Sequence, residues 1–146
     1  MENNIQYDSL DVAKHLIAKC KENNISDINN TKINKLLYAT YGIYLAKYNE
    51  QITKEKPKFF PYGPVFPRVF KRFVELNPAK YKFDEKLKDV IDFVIDTFGE
   101  FSASRLSAWS HEDGSPWDKL RERGSQYGEE LDNLDIYKYF KKLISE

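Results

Sequence analysis

Apolar residues recur along this chain at helical spacing, and the alternation expected of half-buried strands is nearly absent. Val12, Ala13, Leu16, Ile17 and Cys20 form one stripe of an amphipathic helix that Asp8 or Ser9 would cap. The polar run 23–30 closes it. A second helix is predicted from about Thr31 to Tyr48. Ile33, Leu36, Leu37, Tyr41, Tyr44 and Tyr48 share one face, and Tyr38, Ile43 and Leu45 widen it to most of the circumference. A helix apolar on so many sides is buried on several, so this one is predicted to be central.

Pro57 and Pro61 interrupt the helical pattern over 50–62, where short extended pieces at Gln51–Thr53 and Lys58–Phe60 predict a small hairpin. Gly63-Pro64 then reads as a tight entry turn with Pro64 near the first helical position. Val65, Phe66, Val69, Phe70 and Phe73 continue the apolar stripe up to Asn77-Pro78. Leu87, Val90, Ile91, Val94, Ile95 and Phe98 mark the cleanest helix, over 84–98, with Gly99 just past its end. Ser102 caps a short helix with Phe101 and Leu106 at staple spacing, and Ser115-Pro116-Trp117-Asp118 opens another with capping-box spacing. Ile136, Tyr137, Phe140, Leu143 and Ile144 define a last helix over about 132–144. The predicted fold is mainly α: a compact single-domain bundle of six to seven helices over 1–146, with a small β-hairpin near 50–60.

Composition narrows the function. A length of 146 residues suits one domain. Lys plus Arg and Asp plus Glu both number 23, and a zero balance argues against a dedicated grip on a phosphate backbone. The charge is uneven: residues 61–83 hold 5 basic groups and 1 acidic, whereas 84–146 hold 9 and 15. That asymmetry either steers a partner or merely solvates helix faces. No apolar run nears the ~20 residues of a membrane span, and the first residues lack the pattern of a signal peptide. A cytoplasmic protein away from membranes is expected.

Chemistry-bearing residues are sparse. His111-Glu112-Asp113 is the one tight ligand-like cluster, and consecutive turn positions point different ways, so no metal is expected. Cys20 falls on a buried stripe, where it reads as a small hydrophobe, and His15 on the same helix reads as packed or at the surface. The glycines are scattered punctuation and no phosphate loop is present. With neither cofactor nor catalysis indicated, the residues describe an interaction domain. Two segments are too particular for plain scaffold: Tyr-Gly-Pro-Val at 62–65, and 110–117, which sets Trp109, His111 and Trp117 around one connection. Tyr62, Arg68, Lys71, Arg72, Trp109, His111 and Trp117 are therefore the candidate partner-binding residues. The competing reading makes Tyr62, Trp109 and Trp117 an aromatic lid on the core.

Three ordered motifs carry a resemblance. Lys32, Lys35, Leu36, Leu37, Tyr38, Leu45 and Ala46 match the lysine- and leucine-rich helix of the Panacea domain. Tyr62, Gly63, Pro64, Val65, Pro67 and Val69 match its turn motif, and Leu106, Ser107, His111, Glu112, Pro116 and Trp117 match its third segment. Asn34, Phe70 and Ser110 depart from the usual Gln, Tyr and Thr, and Asp113-Gly114-Ser115 lengthens the link to Pro116. The chain thus resembles the Panacea-domain antitoxins, a group long regarded as phage-associated, over about 8–143. The resemblance implies a role in bacteria or prophages in which a toxin encoded nearby is neutralised by direct contact. Alternatives are an adaptor that delivers the bound toxin to a cellular protease, and a phage-related DNA-binding regulator that uses the basic 61–83 segment. Some such antitoxins carry a DNA-binding module before the domain. Here the motifs start too early for one to fit, and no specific nucleic-acid partner is expected.

Overall fold

A computed structural model describes residues 6–145. Seven α-helices follow in order: α1 (Ser9–Glu22), α2 (Asn30–Tyr48), α3 (Pro67–Arg72), α4 (Glu85–Phe98), α5 (Ala103–Ser110), α6 (Pro116–Glu122) and α7 (Asn133–Ile144). A 3-10 turn, Phe73–Glu75, extends α3, and strands β1 (Lys58–Phe60) and β2 (Gly63–Val65) stand between α2 and α3. The mainly helical fold expected from periodicity is the fold observed.

Local chemistry starts the helices where the sequence places caps. Asp8, Asn29, Asp84, Ser102, Ser115 and Asp132 each accept a backbone N–H of the first turn. At α6 the capping box is displaced: Asp118 accepts from Gly114 N at 3.0 Å, one residue ahead of the cap. Helix α3 has no side-chain cap of its own, and Glu55 supplies one from a distance by accepting Arg68 N at 2.6 Å.

Helix α2 is the axis of the core. Residues 32–46 are all buried, and α1, α3, α4, α5, α7 and β2 pack on it. The stripes of α1 and α4 meet it with Val12, Leu16 and Cys20 on one side and Leu87, Ile91 and Val94 on another, all of them fully buried. Gly42 admits the ring of Phe140 from α7 directly against its Cα, a place any β-carbon would fill.

Three expectations are corrected here. Strand β1 pairs not with 51–53 but with β2, antiparallel, Lys58 opposite Val65 and Phe60 opposite Gly63. Thr53 instead forms an isolated parallel bridge with Tyr7. Second, Pro64 lies in a strand, and the helix begins at Pro67. Phe66 precedes a proline and is thereby held out of helical conformation, at φ −95° and ψ 103°, so no helix could run through it. Third, Phe70 does not lie on the buried stripe: it is 41% exposed, whereas Val69 beside it is fully buried. Gly99 ends α4 as expected but keeps a right-handed φ of −59°.

The segment 77–84 crosses α1 and is latched by His15. Nδ1 of His15 accepts Tyr81 N at 2.9 Å, and the ring packs on Phe83, which also meets Tyr7 and Tyr81. An accepting Nδ1 requires a neutral imidazole. Burial, with Lys19 and Lys80 nearby, lowers the His15 pKa against the opposing pull of Asp92 and Glu22. Below about pH 6.5 the unfolded chain therefore takes up a proton that the folded one resists, and stability falls until the lower folded pKa is passed. His15→Asn keeps an acceptor near the same place without titrating. We expect urea midpoints of that variant to fall less than wild type between pH 7 and 5.

Candidate functional site

The three sequence motifs converge on the hairpin, and their side chains take hold of its backbone. From α2, Lys35 Nζ donates to Pro64 O at 3.3 Å. From α5, Ser107 Oγ donates to Tyr62 O at 3.3 Å, and from the residue that ends it His111 Nε2 lies 2.9 Å from Pro61 O. From α6, Trp117 Nε1 donates to Phe60 O at 2.8 Å. Four carbonyls between 60 and 64 are thus each met by a motif side chain. Asn34 Oδ1 accepts the N–H of Phe66 at 2.8 Å just beyond, while its amide donates to Asn30. A turn with four of its carbonyls engaged has few ways to rearrange.

The anchors are themselves fixed. His111 stacks on Trp117 with ring centres 4.1 Å apart, and its Nδ1 lies 2.6 Å from Ser107 O. Both ring nitrogens therefore face carbonyls; a neutral ring can donate to one and an imidazolium to both. Ser110 Oγ donates to Ser107 O, and Ser115 Oγ to Ser110 O. Lys35 is 1% exposed and faces a carbonyl rather than a carboxylate, so burial drives its pKa down to about 8. Lys32, also buried, reaches out to Asp27 at 2.7 Å. Gly63 has a φ of +102°, and a β-carbon there would lie 2.5 Å from Ser110 Oγ.

Most of the motif positions face inward. Leu36, Tyr38, Val65, Pro116 and Trp117 are buried, and Glu112, in the connection after α5, accepts the Tyr139 hydroxyl of α7 at 2.9 Å. Trp109 is half-buried among Tyr38, Phe98, Tyr139 and Phe140, away from the hairpin. Tyr38 is enclosed by the same cluster, its hydroxyl meets no partner among the described residues, and burial raises its pKa well above the usual phenol value. A buried hydroxyl without a partner costs stability. Tyr38→Phe should match or exceed wild type by up to about 1 kcal/mol in urea melts, and a clear loss would reveal a partner for that oxygen.

The outward side belongs to Tyr62, 65% exposed at the hairpin tip, and to α3. Phe60, Tyr62, Val65, Pro67, Phe70 and Lys71 line an almost wholly apolar groove of about 220 Å³. Phe60 and Phe70 are not among the candidate partner-binding residues of the sequence; spacing sets Phe70 beside Val69 and Phe73, and only the packing shows which edge of that stripe faces out. Of the candidate cations, Arg68 is tied to Asp8 at 3.2 Å and Arg72 to Glu75 at 3.1 Å. Elsewhere, Cys20 is buried with its thiol pKa pushed up to about 11, far from reactive. Among the described residues no three His, Cys, Asp or Glu side chains are grouped to hold a metal, and no helix is long and apolar enough to cross a membrane.

Fold and site together describe a helical domain organised around a rigidly held, displayed hairpin. The family "Antitoxin SocA-like, Panacea domain" matches residues 33–118, from the first turn of α2 into α6, and the chain belongs to that family. It is similar to Antitoxin SocA of Caulobacter vibrioides (strain NA1000 / CB15N), 30% identical over 133 residues that cover 77% of this chain and 70% of that protein. No solved structure matches the chain with comparable significance.

Proposed function

We propose that this protein is the antitoxin of a toxin–antitoxin pair and neutralises its cognate toxin by direct protein contact, with the hairpin and α3 as the contacting side. Membership of the antitoxin family supports the role. The observation that carries the mechanism is the engagement of the motif side chains. Lys35, Ser107, His111 and Trp117 are occupied with hairpin carbonyls. They act as supports for a displayed surface and are not poised around an open substrate site. A preorganised surface binds at lower entropic cost than one that must order itself on contact.

The test is co-expression with the product of the neighbouring reading frame. That product alone should arrest growth, this chain should restore it, and the two should co-purify. Restored growth without co-purification, lost in a host lacking the responsible protease, would replace stable neutralisation with delivery for degradation. Failure to protect against any adjacent gene product would overturn the antitoxin reading for this chain.

A further inference from the structure

We infer that the groove between the hairpin and α3 is the anchor site for the toxin, and that it takes one large apolar side chain flanked by carboxylates. This rests on the antitoxin reading above and specifies the chemistry of the partner. The groove's size limits what can occupy it: about 220 Å³ lies below the 300–1,000 Å³ usual for small-molecule sites and suits a side chain or two from a protein. Its walls, Phe60, Tyr62, Val65, Pro67 and Phe70, are apolar or aromatic, the kind that carry interface energy.

Strand addition is closed off on both sides of the hairpin. The outer edge of β2 offers Pro64, which has no N–H and whose carbonyl is held by Lys35. The outer edge of β1 is already covered by residues 128–131, through Phe59 N to Glu129 O, Gly128 N to Phe59 O and Leu131 N to Pro57 O. A partner must therefore engage side chains rather than backbone, as a helix or loop laying an anchor into a groove does.

Charge supplies the flanking chemistry. Lys71 lines the groove, and Lys58 shares the Phe60 face of β1 by strand alternation; neither forms an ion pair among the described residues. Arg68 and Arg72 stand beside them with their carboxylates. Val74, 91% exposed and one helical turn beyond Phe70, extends the apolar ridge. An apolar centre with a cationic rim is complementary to an acidic partner segment.

Two measurements test this. In fluorescence anisotropy, a labelled peptide Gly-Asp-Glu-Leu-Trp-Asp-Glu-Gly should bind the wild-type protein. The counterpart with lysines for its acids should bind at least about tenfold more weakly, as should the acidic peptide to Phe70→Ser or Lys71→Glu, since loss of one anchor is commonly worth a factor of ten or more. Both variants alter exposed side chains, and unchanged thermal midpoints would show that they fold. In the growth assay, the same variants should fail to protect. No peptide binding, equal binding by the variants, or full protection by both variants would overturn the groove. Should wild type itself fail to protect, the antitoxin reading falls, and the peptide measurement still judges the groove by itself.

Discussion

Gly63→Ala should destabilise the protein by about 3 kcal/mol and lower its thermal midpoint by roughly 10 °C. Two penalties combine. At φ +102° an L side chain is strained, a term of about 1–2 kcal/mol. The new methyl would also lie 2.5 Å from Ser110 Oγ, 3.0 Å from Lys35 Cε and 3.2 Å from His111 Cε1. Overpacking of this kind adds about 1–3 kcal/mol. Ser110 cannot withdraw easily, because its hydroxyl and carbonyl are both bonded within the α5–α6 connection. Gly114→Ala is the matched control: its φ is +81°, but the space around it is open. It should lose only the backbone term. Equal losses for the two variants, by thermal or urea melts, would mean that the packing around Gly63 yields.

Lys35→Met should have the opposite sign and stabilise the protein at pH 7 by about 2 kcal/mol. Burial without a carboxylate brings the lysine from its ordinary 10.5 to about 8. The unfolded chain therefore binds a proton that the folded chain lacks between those values, and wild-type stability rises as pH climbs through that window. Below pH 8 both states are protonated and the full penalty stands, on the order of 3 kcal/mol for such a shift. Methionine keeps much of the length and drops the charge. It leaves Pro64 O without its donor, which returns about 1 kcal/mol. The same balance makes apolar replacement of buried ions neutral or favourable elsewhere. Denaturant melts at pH 7 and 10 check both halves: wild type should gain with pH, and the variant should lose that gain. A less stable variant at pH 7 would mean that the ammonium–carbonyl bond outweighs the cost of burying the charge.

Where side-chain periodicity alone decides structure, the sequence was legible. The stripes of α1, α4 and α7 and the all-round burial of α2 are consequences of 3.6-residue spacing, and the Asp, Asn and Ser caps sit where local hydrogen bonding puts them. The hairpin was harder, because strand pairing depends on which segment arrives alongside. Lys58–Phe60 had two possible partners, and the tight turn at Pro61–Tyr62 favours the adjacent one. Within the site, the candidate residues were grouped by their place in turns, which does not say which way each faces. His111 and Trp117 turn in to hold carbonyls, Trp109 joins a separate cluster, and Tyr62, Lys71 and Phe70 remain outside. Arg68 and Arg72 already have carboxylate partners, which sequence distance hides for Arg68 and Asp8. Reversing Arg68, Lys71 and Arg72 together would therefore create new repulsion, and Lys71 alone is the cleaner probe.

The solitary thiol of Cys20 gives the folded protein an internal clock. It lies on the buried face of α1, is 0% exposed, and its pKa of about 11 leaves almost no thiolate at neutral pH. An alkylating reagent can reach it only through molecules in which α1 has opened, so the labelling rate, divided by that of the unfolded chain, reports the open fraction when reclosing is fast. Helix α1 also carries His15, the latch for 77–84, and its cap Asp8 and first residue Ser9 hold Arg68 at the start of α3. Labelling slowed by a candidate toxin would then report, in the mixture itself and without any added dye, how firmly binding ties down the helix that supports the proposed docking face.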